Sequence, residues 1–325
     1  MRRRIIFTVI LFIVIIVPLG GYLAAGSIIY NQLTSVTPHC NNRADDLDNF
    51  PESFDLLNDD DASAYFMPDY SRVSFPSRDE NITIAGWYVP ATESPETAPA
   101  VILVHGLGSC RHAPSVLLPA GMLHRNGFNV LMIDMRDHGD STIEDGRYAA
   151  GTEEYQDVLG GWDWLIAVNN IPAERIGLLG VSLGGGTVLI AAGEEPRVAA
   201  VWEDSSFANI ADAIDAEVQR NGYPQFLTSG GLLMGRLMSG DDITSMSPLE
   251  GVEKIGTRPL YITHGTADTR LSVQYAYDLA AAANANGNPV EPWIVEGMDH
   301  VQAMFNFPED YETRLIAFFT EHLGV

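Results

Sequence analysis

The chain has 325 residues, 46% of them apolar, and carries 43 acidic against 18 basic side chains, a formal net charge of -25. So large an acidic excess repels the phosphate backbone of nucleic acid and excludes that class of partner, while the apolar share excludes a disordered chain. The two cysteines, Cys40 and Cys110, are too few for a disulfide scaffold, and no His or Cys cluster has metal-ligand spacing, so neither a metal nor a cofactor is expected.

In chain order, Arg2, Arg3 and Arg4 precede an uncharged apolar run from Ile5 to Tyr30. Its length exceeds the roughly 20 residues that a helix needs to cross a bilayer. Positive charge ahead of the span predicts an N-terminus in the cytoplasm and everything after the span on the far side. A cleaved signal peptide is the alternative, with Ala24 and Gly26 as small residues for a peptidase. Ile28, Ile29 and Tyr30 prolong the apolar run and favour an uncleaved anchor over residues 1–30. Residues 31–68 are polar and acidic, with Asp45, Asp46, Asp48, Asp59, Asp60 and Asp61, and read as a spacer between membrane and domain. Cys40 lies in this irregular stretch and is not expected to pair with Cys110. Asn81-Ile82-Thr83 is a glycosylation sequon only in a eukaryotic secretory host.

From residue 69 to 325 the pattern is regular. Two alternating segments, Arg72 to Phe75 and Ile82 to Val89, predict an antiparallel hairpin. Short continuous apolar runs then take turns with helical segments: strands near 100–104, 129–134, 176–179, 198–202, 259–263 and 292–295, and helices near 114–126, 153–168, 183–192, 273–285 and 309–322. That alternation predicts an α/β fold, a mostly parallel sheet covered by helices on both faces. Residues 207–258 are long for a crossover and hold amphipathic pieces. They are read either as a small helical cap or as an ordinary crossover helix.

The chemistry concentrates at Gly180-Val181-Ser182-Leu183-Gly184, a G-x-S-x-G pattern with a strand before it and a helix after it. In that context the glycines let the chain reverse sharply and push Ser182 out at the tip. A serine hydroxyl needs a base, and the base needs an orienting carboxylate. His300 lies in the loop after the last strand, where a base following serine and acid in the order Ser, Asp, His belongs. For the acid, Asp268 is favoured, with Asp204 as the alternative. Asp299, adjacent to the base, is not expected to fold back onto its ring. The backbone amides of Leu183, at the start of a helix, and of Leu107, in His105-Gly106-Leu107-Gly108, are the candidate oxyanion donors. His105 and His264 each close a strand before a glycine and read as structural.

Taken together, Val104-His105-Gly106-Leu107-Gly108, Asp134-Met135-Arg136-Asp137-His138-Gly139-Asp140-Ser141, Gly180-Val181-Ser182-Leu183-Gly184-Gly185, His264-Gly265-Thr266-Ala267-Asp268 and His300 resemble the successive signatures of the α/β-hydrolase superfamily. Gly185 is similar to the branch of dienelactone hydrolases and prolyl oligopeptidases, although no propeller-like repeat accompanies it. The resemblance covers Val73 to about Leu323. It implies a Ser-His-Asp serine hydrolase, with Arg136 and His138 shaping the loop after their strand. A membrane-anchored carboxylic ester hydrolase acting on a small or lipid-like ester is the leading expectation. A peptidase or thioesterase with the same triad, and a non-catalytic binding protein of this fold, are the alternatives. Substrate, acyl-chain length and oligomeric state are not encoded in these motifs.

Overall fold

The computed structural model describes residues 12–36, 40, 48–58, 60–240 and 242–324. Arg2 to Arg4, the start of the apolar run, His39 and the acids at 45, 46 and 59 lie outside the described residues. The chain divides into two compact units, one of residues 1–35 with 210–245, the other of 36–209 with 246–325.

The larger unit is built on one eight-stranded sheet. Its strands are β1 (Ser71–Pro76), β2 (Thr83–Val89), β3 (Ala100–Val104), β4 (Asn129–Ile133), β5 (Ile176–Val181), β6 (Ala200–Asp204), β7 (Leu260–Gly265) and β8 (Trp293–Val295). The spatial order is β1-β2-β4-β3-β5-β6-β7-β8. β1 and β2 form the expected antiparallel hairpin, with Phe75 opposite Ile84, and β2 runs antiparallel to β4. Every other neighbouring pair is parallel. β3, β4, β5 and β6 are buried at every position, as strands covered on both faces must be, which explains their unbroken apolar runs.

The helices are α1 (Val17–Thr34), α2 (Pro114–Arg125), α3 (Tyr155–Asn169), α4 (Leu183–Glu194), α5 (Ile210–Arg220), α6 (Leu227–Met238), α7 (Pro248–Ile255), α8 (Gln274–Ala285), α9 (Ala303–Asn306) and α10 (Pro308–Leu323). On one face of the sheet, Trp202 stacks on Tyr261 at 3.9 Å between ring centroids and donates its indole N–H to the Tyr311 hydroxyl at 3.1 Å. That hydrogen bond satisfies a polar group that burial would otherwise penalise.

The order of the strands sets the place of the site. The chain adds β4 on one side of β3 and then returns to add β5 on the other, so β3 and β5 diverge at a switch point, and crevices open at the carboxyl ends of such strands. The register puts Val104 beside Gly180, Val181 beside Asp204, and Gly265 beside Val295. Hence the loops carrying Gly106, Ser182 and Ser205, and those carrying Asp268 and His300, leave the same edge as neighbours.

Two sequence expectations change here. The stretch from 31 to 68 is not a free spacer: Phe54, Leu56, Ala62 and Met67 are buried in the core of the larger unit, and the carbonyl of buried Asn49 is 2.7 Å from Nδ1 of His112. These apolar residues follow no helical or strand period that would announce their burial. Cys40 and Cys110 are also joined in a disulfide, with Cα atoms 5.3 Å apart across 70 positions of sequence. Both are almost fully buried. The pairing depends on the packed N-terminal stretch bringing Cys40 to the loop after β3.

The other unit comprises α1, α5 and α6. A Cβ on Gly26 would lie 2.4 Å from the carbonyl oxygen of Gly230, so α1 and α6 meet backbone to backbone. Tyr22 donates its hydroxyl to the Phe226 carbonyl, and Tyr223 donates to Gln32 Oε1. Of the stretch 207–258, residues 210–245 therefore belong to this unit. α7 belongs to the larger unit, capped by Ser247 and Glu250 and pressed on α4 so closely that a Cβ on Gly251 would lie 2.5 Å from the Leu189 carbonyl oxygen.

Candidate active site

β5 ends at Val181, and Ser182 takes φ 55° and ψ -118°, a conformation that costs a non-glycine residue strain. The hydrogen bonds on either side hold it there: Ser182 N donates to the Asp204 carbonyl at 2.8 Å, and Gly186 N donates to the Ser182 carbonyl at 3.2 Å. The flanking glycines are steric requirements. A Cβ on Gly180 would lie 2.1 Å from the Gly184 carbonyl oxygen, and one on Gly184 would lie 2.3 Å from that of Val104. Gly106 contributes in the same way from the β3 loop, where a Cβ would come within 3.3 Å of Ser182 Cβ. Leu107 follows it in that loop, and Leu183 is the first residue of α4, at the positive end of the helix dipole.

The imidazole of His300 bridges the other two side chains. Its Nε2 is 2.9 Å from Ser182 Oγ, and its Nδ1 is 2.7 Å from Asp268 Oδ2. A carboxylate only accepts, so Nδ1 carries the hydrogen and Nε2 is left to accept from the serine. Asp268 Oδ2 also faces Nε2 of His264 at 3.1 Å, and its Oδ1 accepts the amides of Arg270 and Leu271, both at 2.8 Å. Burial would raise the pKa of this carboxyl, but the hydrogen bonds from His264 and His300 outweigh it and hold the group well below the usual carboxylate range. Thus the acid stays ionised although its side chain is fully buried.

Asp204, the alternative acid, accepts the hydroxyl of Ser205 at 2.8 Å, and Ser205 Oγ in turn accepts the amide of Val301 at 3.2 Å. It thereby steadies the backbone beside His300 while Asp268 meets the ring. Asp299 also fastens loops together: its carboxylate accepts the amide of Thr269 at 2.8 Å and that of His300 at 2.8 Å.

A sequence model described as the prolyl oligopeptidase family matches residues 115–325. The chain belongs to the prolyl oligopeptidase family. It is a serine hydrolase with the α/β-hydrolase fold. Among relatives, the YfhR protein of Salmonella typhi is 27% identical, over 74% of this chain and 81% of its own. Among solved structures, a Pyrococcus furiosus esterase superposes with a TM-score of 0.65 at 23% identity, covering 85% of this chain and 98% of the esterase. The Pyrococcus horikoshii acylaminoacyl peptidase gives a TM-score of 0.59 at 19% identity over 78% of this chain and 41% of the peptidase.

In this prolyl oligopeptidase family member, the two other motif histidines serve the loops. Met135 N donates to Nε2 of His105 at 3.1 Å while its Nδ1 meets the Gly106 carbonyl at 2.8 Å. Gly108 N donates to Nε2 of His138, whose Nδ1 meets the Arg136 carbonyl. Each ring is therefore neutral, with its hydrogen on Nδ1, and burial lowers both pKa values. Arg136 ties Asp157, Asp79 and Glu144 together behind them. His264, read as structural, has its Nε2 3.1 Å from Asp268 Oδ2 and 3.0 Å from the Leu271 carbonyl. Its contact arises from the turn after β7 and leaves no sequence pattern beyond the His-Gly-x-x-Asp spacing.

Proposed function

We propose that this serine hydrolase is a membrane-anchored esterase working through Ser182, His300 and Asp268. The unbroken chain of hydrogen-bond distances from Ser182 Oγ through His300 to Asp268 carries the reading. His300 Nε2 takes the hydroxyl proton as Ser182 Oγ attacks the ester carbonyl. The proton then passes from Nε2 to the departing alkoxide as the acyl-enzyme forms. Asp268 stabilises the imidazolium between those two events. Water, deprotonated by the same Nε2, releases the acid and restores the serine. The amides of Leu107 and Leu183 are the donors for the developing oxyanion, each worth about 100- to 1,000-fold in rate.

Membrane anchoring rests on the 21-residue apolar stretch Val14–Thr34, and export of the catalytic domain on the Cys40–Cys110 disulfide, a bond characteristic of oxidising compartments. Ester rather than peptide cleavage is supported by the likeness to the Pyrococcus furiosus esterase along nearly all of that protein. The family itself favours peptide cleavage as the second reading.

Hydrolysis of a p-nitrophenyl ester and of a matched p-nitroanilide separates the two. Wild type is expected to cleave the ester, Ser182→Ala to lose about 10,000-fold or more in kcat, and Asp268→Asn to lose about 100- to 10,000-fold. Asp204→Asn should stay within about tenfold of wild type, because it steadies a loop and does not touch the ring. Preference for the anilide would overturn the ester assignment, and a larger loss from Asp204→Asn would overturn Asp268 as the acid.

A further inference from the structure

The helices α5 and α6 obey opposite rules. α5 is ordinary: Ile210, Ile214 and Val218 are buried, and Asp212, Asp215 and Glu217 accompany them. On α6 the small residues are inside and the large apolar ones outside. Its buried positions are Thr228, Gly230, Gly231 and Gly235, whereas Leu233, Leu237 and Met238, with Phe226 just ahead of it, are 43–66% exposed. Water opposes such an arrangement, and a lipid environment permits it, since helices packed in lipid draw together through small residues and turn large apolar side chains outward.

What α6 packs on identifies the surroundings. Gly26 meets Gly230 with no side chain between, Ile29 fills the space a Cβ on Gly231 would need, and the Tyr30 ring does the same at Gly235. Gly26, Ile29 and Tyr30 all lie in Val14–Thr34, the stretch long and apolar enough to cross a membrane. Backbone contact ties the depth of α6 to the C-terminal half of that stretch. The exposed residues Leu19 and Ile28 continue the apolar surface on α1 itself. α6 contains no acid, and its one charge, Arg236, lies in the last turn and pairs with Asp242. A long arginine at a helix end reaches the headgroup level without dragging the helix out of the lipid.

We infer that α6 is a second membrane-contact element, with Phe226, Leu233, Leu237 and Met238 seated in the lipid of the leaflet into which the C-terminal half of α1 extends. This rests on α1 being a membrane anchor and goes beyond it, since α6 is then held in the bilayer beside α1. The insertion leaves the hydrolase unit shortly after Ser205 and Ser206 and rejoins it at Met246, so the lipid-held segment is continuous in sequence with a loop that steadies His300.

The test uses the full chain in phosphatidylcholine vesicles, with single cysteines carrying an environment-sensitive fluorophore and doxyl-labelled lipid as quencher; Cys40 and Cys110 are bonded to each other and do not compete for label. Leu19→Cys reports on α1, Leu237→Cys and Phe226→Cys on α6, and Asp278→Cys on a water-exposed helix of the hydrolase unit. Quenching at both α6 positions is expected to match Leu19→Cys and to exceed Asp278→Cys by about threefold or more. Quenching at Leu19→Cys alone would overturn the inference and leave the anchor standing. Quenching at none of the three would overturn both. A blue-shifted but unquenched α6 probe would show protein, a second copy or another chain, covering this surface, and would equally overturn the lipid assignment.

Discussion

Asp268 keeps its charge in a buried place because four donors surround it, whereas Glu203, on the neighbouring strand, lacks that company. Its Oε2 accepts the Ser206 amide at 3.1 Å, and among the described residues its Oε1 has no hydrogen-bond partner. Burial, the largest influence, pushes its pKa up from 4.5 to about 8. The folded state therefore holds this proton more tightly than the unfolded chain. The stabilisation is complete below about pH 4.5 and is lost as pH rises through about 8. Glu203→Gln has no such proton to lose. The stability of wild type relative to Glu203→Gln should fall by on the order of a few kcal/mol between pH 5 and pH 9 in urea unfolding. Parallel pH profiles for the two proteins would contradict a neutral, buried Glu203.

Among the elements, the turn from β5 into α4 has little room to vary. A methyl at Gly184 would press on the backbone oxygens of Val104 and His105, which belong to a buried strand end and cannot swing aside as a flexible side chain would. Gly184→Ala should lower stability by about 1–3 kcal/mol and displace Ser182 enough to reduce hydrolysis, seen as a lower Tm together with a lower kcat. Wild-type values for both would mean that the turn is more pliant than its contacts imply. The tightness of this turn also explains why it was legible in the sequence: glycines with a steric reason for being there, set between a buried strand and a helix, form a local pattern. The parallel strands were legible for a similar reason, since burial on both faces writes an unbroken apolar run. Contacts made by folding were not legible. Phe54 and Met67 reach the core from an acidic stretch without periodicity, Cys40 pairs with Cys110 across 70 positions of sequence, and Ser205 and His264 gain their roles from loops that the sheet register brings together. α6 was legible as apolar but not as inverted, because which of its residues face inward depends on the glycine it meets in α1.

At the scale of the whole molecule, an acidic hydrolase unit is closed by a disulfide across 70 positions, a loop whose closure stabilises a fold by about 2–4 kcal/mol. The same bond holds the chain that follows α1 onto the loop after β3, from which an oxyanion donor is expected. The proposed chemistry turns on the hydroxyl of Ser182. Active-site labelling reaches that point most directly. The full-length protein is treated with a fluorophosphonate, and the modified peptide is located by mass spectrometry. A single adduct on Ser182, absent from Ser182→Ala and strongly slowed in His300→Ala, is the predicted result. A folded wild-type protein that takes up no label, or takes it up at another residue, would contradict it.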